Sequence, residues 1–191
     1  MDKKRIFLYS MMAVVVMGVA SIVIYLLAGS MDRRAVPDTG ARFAAPDSAR
    51  GIREVYLYFA DGRGESLVAE RRRITGAEMP VQFGRNILTA LIQGPARKEL
   101  TATIPEGTVC RAFYLTDRGV AYVDFSGAVR ENHPGGSGAE RFTIYSVVNT
   151  LVLNMEGVEQ VKILIDGQEA ETLAGHIDLR HSFAANMRLI K

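Results

Sequence analysis

The sequence predicts an α+β fold, a two-layer sandwich with two main helices on one face of a mostly antiparallel sheet, preceded by one transmembrane helix. Three observations carry that prediction. Short turns twice separate runs of alternating apolar residues, two segments repeat their apolar residues at helical spacing, and a charge-free apolar run stands near the amino terminus. The predicted divisions are a cytoplasmic basic tip at 1–5, a transmembrane signal-anchor at 6–31, a flexible linker at 32–51, a folded domain at 52–182 and a tail at 183–191.

No residue between Ile6 and Met31 is charged. A spanning helix needs roughly 20 apolar residues and a secretory signal core only about 7–15, so an uncleaved anchor is preferred to a cleaved signal peptide. Lys3, Lys4 and Arg5 favour a cytoplasmic amino terminus, although Arg33 and Arg34 weaken that bias. The expected place is the inner (cytoplasmic) membrane, single-pass, with the domain on the extracytoplasmic side. No cysteine follows the run, so a lipid-modified terminus is not available. Asp32 to Gly51 mixes Pro, Gly, Ala, Ser and charge without periodicity, as linkers do.

In Arg53 to Ala60, Val55, Leu57 and Phe59 alternate with Tyr56 and Tyr58, predicting a strand half-buried on one side. Asp61-Gly62-Arg63-Gly64 turns it, and Ser66 to Ile74 returns as its hairpin partner. Arg71, Arg72 and Arg73 read as a solvated, charge-blunted edge rather than a docking patch. Pro80 to Gln93 predicts a helix with Phe83, Ile87, Ala90 and Leu91 on one face, stopped by Gly94 and Pro95.

Val109 to Thr116 and Val120 to Phe125 flank Asp117-Arg118-Gly119 and predict a second hairpin, with Ala121, Val123 and Phe125 sharing a face. The Gly-rich loop Ser126 to Gly138 lacks the Gly-Lys-Ser/Thr ending of a phosphate-gripping loop and reads as a mobile connector. Glu140 to Met155 is the predicted central helix, with Ile144, Val147, Val148, Leu151 and Met155 along one side. Val158 to Ile165 follows as a buried strand turned by Asp166-Gly167; Glu171 to Arg180 packs back, and the polar tail is expected to fray.

A composition of 48% hydrophobic and 23% charged residues belongs to a folded protein. The net charge of +2, with scattered arginines, predicts no nucleic-acid partner. The single cysteine, Cys110, excludes an internal disulfide and a multi-cysteine metal site, and reads as a small buried hydrophobe.

The strongest enzymatic arrangement joins Ser146, His176 and Asp178 as nucleophile, base and orienting acid. Its context is poor, because Ser146 falls in mid-helix and the strained GxSxG turn is absent. The expectation is therefore a non-enzymatic protein with no cofactor. Ser146 and Asn149, three residues apart, are expected to hydrogen-bond neighbouring backbone. His176 beside Asp178, with His133 or His181, lacks metal-ligand spacing and is expected to brace the carboxy-terminal turn. Asp124 is expected to hold the loop that follows it. Tyr56, Tyr58 and Tyr122 are the interface candidates, together with a sheet edge and the polar side of the central helix.

Several motifs occur together in order: LTALIQGP at Leu88 to Pro95, IPEGT at Ile104 to Thr108, DRGVAYVDFS at Asp117 to Ser126, IYSVVNTL at Ile144 to Leu151, VKILIDG at Val161 to Gly167 and ETLAGHIDL at Glu171 to Leu179. Over roughly Val55 to Leu179 the chain resembles the GerMN domain of GerM-like sporulation and spore-germination proteins. The resemblance implies a compact, exported α/β module of the bacterial envelope, similar to ring-building modules of secretion systems. It implies envelope proteins or further copies of itself as partners, and no established catalytic residues. Because similar domains occur beside cell-wall amidases, peptidoglycan is the alternative partner and a weak cell-wall hydrolase the alternative activity.

Overall fold

The computed structural model describes residues 51–191; the predicted basic tip and signal-anchor, and the linker up to Arg50, lie outside the described residues. Among the described residues no helix is long and apolar enough to cross a membrane.

The fold is α+β, built on two sheets where the sequence predicts one. Strands β1 (Ile52–Asp61), β2 (Leu67–Thr75) and β3 (Leu100–Thr101) form an antiparallel sheet in the order β2-β1-β3. Strands β4 (Cys110–Leu115), β5 (Val120–Phe125), β6 (Gln160–Ile165) and β7 (Gln168–Glu169) form the second in sequence order, and β8 (Phe183–Ala184) also pairs with β6. Both predicted hairpins are present, as β1–β2 and β4–β5. The β5–β6 pair is parallel. A parallel neighbour needs a long crossover, and here the connection carries α2 (Ala128–Glu131) and α3 (Ser137–Asn154).

Helix α1 (Pro80–Ile92) starts on Pro80, whose missing N–H costs nothing in the first turn, and is followed by Gly94 at φ +84°. Phe83, Ile87, Ala90 and Leu91 are buried as the spacing predicts. So is Gly84, where an added Cβ would lie 2.5 Å from the Phe113 ring, so only glycine lets α1 approach β4 this closely.

Helix α3 departs from its predicted single apolar stripe. Ile144, Val147, Val148, Leu151 and Met155 are buried, but so are Glu140, Thr143, Ser146, Asn149 and Thr150. The reason is position: α3 packs on β1 of one sheet, on β6 and β8 of the other, and on α1. A helix between two sheets has no polar side left for solvent.

The main core joins Val55, Leu57 and Phe59 of β1 to Val123, Phe125, Ile163 and the α1 and α3 side chains. A smaller cluster on the other face of β1 holds Tyr58, Ala60, Leu67 and Phe142, with Tyr145, Leu189 and Ile190 against it. This cluster explains why the last residues do not fray. Phe183 meets Tyr145 edge-on at 6.0 Å between ring centroids, and the Lys191 amide donates to Leu67 O at 3.0 Å. The Ser126 to Gly138 connector is likewise structured: it contains α2, and Asn132 Nδ2 donates to Glu106 O at 2.8 Å.

Candidate functional site

The polar residues of α3 are committed to the protein's own backbone and hydroxyls. Ser146 Oγ accepts from Thr103 Oγ1 at 2.8 Å and donates to Thr143 O at 3.0 Å. Asn149 is held twice by Asn186, its Oδ1 accepting from the Asn186 amide at 2.8 Å and its Nδ2 donating to Asn186 O at 3.2 Å. Asn154 does the same to Tyr56, accepting from its amide at 2.8 Å and donating to its carbonyl at 2.8 Å. Thr150 Oγ1 accepts from the Tyr58 amide at 3.1 Å. An Asn amide and a Thr hydroxyl thus occupy backbone groups on the β1 edge that β3 leaves unpaired, and strand addition there is blocked.

The serine, histidine and aspartate of the enzymatic reading are not joined by hydrogen bonds. Ser146 is fully buried with the partners just named. His176 turns to Glu140, its Nδ1 3.1 Å from Glu140 Oε2. Asp178 pairs with Arg180, whose hydrogen bonds hold its carboxyl down at about 2. Among the described residues no group of three or more His, Cys, Asp or Glu is arranged to hold a metal ion. Cys110 is half-buried, and burial pushes its thiol pKa up, away from the reactive thiolate.

Asp124 does not hold the loop after it. Its Oδ1 accepts from the Gly167 amide at 2.7 Å, tying β5 to the β6–β7 turn, where Asp166 itself adopts φ +52°. Arg111 reaches both carboxylates, at 2.6 Å from Asp166 and 3.7 Å from Asp124.

The three tyrosines separate. Tyr58 is buried in the smaller cluster. Tyr122 is half-buried, beside exposed Tyr114 on β4 and Lys162 on β6. Tyr56 is 46% exposed. The register sets Tyr56 opposite Arg71, Glu54 opposite Arg73 and Ile52 opposite Thr75, six exposed residues on one face of the β1–β2 ribbon. Tyr58 and its neighbours are covered by α3 and the carboxy-terminal residues, whereas this half of the face is open. Leu153, 40% exposed, precedes the asparagine that grips Tyr56.

A cleft of about 440 Å³ opens elsewhere, between the β1–β2 turn at Asp61 to Gly64, the Thr101 to Pro105 segment and the start of α3. Ile104, Phe142 and Pro134 give it apolar walls.

Sequence reasoning missed two buried carboxylates. Glu140, fully buried, accepts from the amides of Leu173, Ala174 and His176 at 2.9–3.0 Å. Glu70, 4% exposed, accepts from the amides of Ala96 and Arg97 and pairs with Arg72. Each stands in an Ala-Glu-Arg triplet, and no local pattern there announces its burial.

Fold and side-chain geometry together define a small α+β module whose buried polar groups serve its own architecture and whose open surface is part of one sheet face. The family with the sequence model "Germane: Sporulation and spore germination" matches residues 56–171, and the chain belongs to that family. The first GerMN domain of the sporulation protein GerM from Bacillus subtilis is similar in fold, with TM-score 0.55 and 22% identity over 72% of this chain and 98% of that one. The tandem GerMN domains of the same protein match with TM-score 0.56 and 18% identity, over 70% of this chain and 46% of that one. A candidate lipoprotein from Clostridium perfringens is 25% identical over 70% of this chain and 88% of that one, with TM-score 0.49. No curated protein matches the chain.

Proposed function

We propose that this protein is a non-enzymatic envelope module, held at the membrane by residues 6–31, that docks onto another envelope protein or a further copy of itself through the open half of the β1–β2 face. The observation that carries this reading is the exposed row of Tyr56, Arg71, Glu54 and Arg73 beside a covered half of the same face. Tyrosine and arginine are enriched at protein interfaces, tyrosine offering large area at low entropic cost and arginine a planar set of donors. Family membership supports a role in sporulation or germination. The test is photocrosslinking in cells from positions 56, 71 and 153 of the full-length protein. Adducts to one defined envelope protein, or to a second copy, are expected; recovery of none from these positions, while control positions on α1 do crosslink, would sink the reading.

The cleft favours a second reading, a peptidoglycan-binding module, because its volume and apolar walls suit a sugar or peptide segment. Sedimentation of the protein with purified sacculi decides it, since this reading fails without enrichment over a control protein.

A further inference from the structure

His133 closes the connector between α2 and α3, and its two ring nitrogens are used in opposite senses. The Gly135 amide donates to Nδ1 at 3.0 Å, so Nδ1 carries no proton. Nε2 lies 3.1 Å from Thr143 Oγ1. That hydroxyl has one proton, and carbonyl acceptors stand at 2.5 Å (Thr103 O) and 3.1 Å (Ala139 O). The hydroxyl therefore donates to a carbonyl and accepts from Nε2–H. Both bonds hold together only in the neutral, Nε2-protonated ring. The residues it ties down are those of the cleft: Pro134, Thr143 and Thr103 line it, and Gly138 and Ala139 complete that wall.

We propose that His133 is a proton-operated latch on this cleft: the neutral ring fastens the Pro134 to Gly136 loop, and with it the start of α3, through Gly135, and a proton on Nδ1 sets two donors face to face and releases it. The glycines make release easy. Gly135 and Gly136 sit at φ +82° and +84° with open space around them, and α3 begins without a side-chain cap to hold its first turn. Burial lowers the proton affinity of His133 below that of a free imidazole, against the opposing pull of Glu140 on α3. Of the other charges on the neighbouring segments, Arg130 on α2 donates to Thr172 O at 2.9 Å, and Asp61 and Arg63 across the cleft bond within their own turn to Glu65 and Ser66, while Glu131 on α2 and Glu106, whose carbonyl accepts from Asn132, also flank the connector. The latch is independent of the docking face.

The test uses the full-length protein labelled on histidine nitrogens, with residue-resolved hydrogen exchange across the loop. Near neutrality the ring should show the Nε2-protonated tautomer and the Gly135 amide should exchange slowly. As pH falls through the His133 titration, exchange at Gly135, corrected for its intrinsic rate, should accelerate about tenfold, the loss of roughly one hydrogen bond. His133→Asn, which keeps a short acceptor for Gly135 and cannot titrate, should abolish the acceleration. Unchanged Gly135 protection through the titration, or the same acceleration in His133→Asn, would overturn the proposal.

Discussion

Glu140 and Glu70 are both buried, and both hold a distant loop by its amides, yet only Glu70 is accompanied by an arginine. The difference follows from the helix each one faces. Glu140 lies in the first turn of α3, where unpaired N–H groups and the helix dipole already favour a negative charge, and the Leu173 to His176 amides complete its shell. Glu70 binds Ala96 and Arg97 just beyond the carboxy-terminal end of α1, where the dipole opposes it. Arg72 compensates, donating to Glu70 and also to Gly94 O at 3.2 Å, one of the carbonyls at that helix end. Helix polarity thus decides which buried carboxylate needs a cation.

The largest expected effect follows from removing the carboxylate that has no such help. Glu140→Ala strands the Leu173, Ala174 and His176 donors in a fully buried site and should cost about 3–5 kcal/mol, read by urea unfolding. A loss below about 1 kcal/mol would mean that water replaces the carboxylate and that its burial is incidental.

Glu70→Ala should cost less, about 1–3 kcal/mol, because Arg72 is partly exposed and regains water when its partner goes. The comparison breaks if the two losses are equal. It sharpens if Arg72→Ala destabilises the protein while no exposed arginine of the same run does, Arg71 and Arg73 being on the open face.

Those arginines show where the sequence was legible. The three consecutive residues read as one solvated block, but the two-residue period of a strand sends Arg72 to the opposite side from Arg71 and Arg73. The hairpins, the α1 face and the apolar side of α3 were readable because each depends on spacing within a dozen or so residues. The second sheet, the burial of Glu140 and the grip of Asn154 on Tyr56 were not. Each depends on partners far apart in sequence, 98 residues in the last case, and local periodicity carries no information about them. Ser146 and Asn149 donate to backbone carbonyls, Ser146 to Thr143 one helical turn away and Asn149 to Asn186, 37 residues on. Tyr58, an interface candidate by its alternation, is buried, and nothing near it in sequence announces that Leu189 and Ile190 return to pack against its cluster.

The smallest effect is one that pH shows at both sites and salt at only one. Burial alone would raise both carboxyls, but donors outweigh it: the amides of Ala174, Ile177, His176 and Leu173 for Glu140, and Arg72 with the Arg97 and Ala96 amides for Glu70, so both lie below the ordinary value of 4.5. A carboxyl depressed in the folded state binds its proton more readily in the unfolded chain. Its contribution is therefore complete above pH 4.5 and drains away as pH falls through the folded value. Glu140→Gln and Glu70→Gln should each flatten the acid limb of the stability curve. Added salt should weaken only the Glu70 contribution appreciably, by about 0.5 kcal/mol or less, since that site alone of the two rests on a partly solvated arginine. Equal salt sensitivity in the two Gln variants would show that the arginine is incidental at Glu70, and that the amides alone hold both loops.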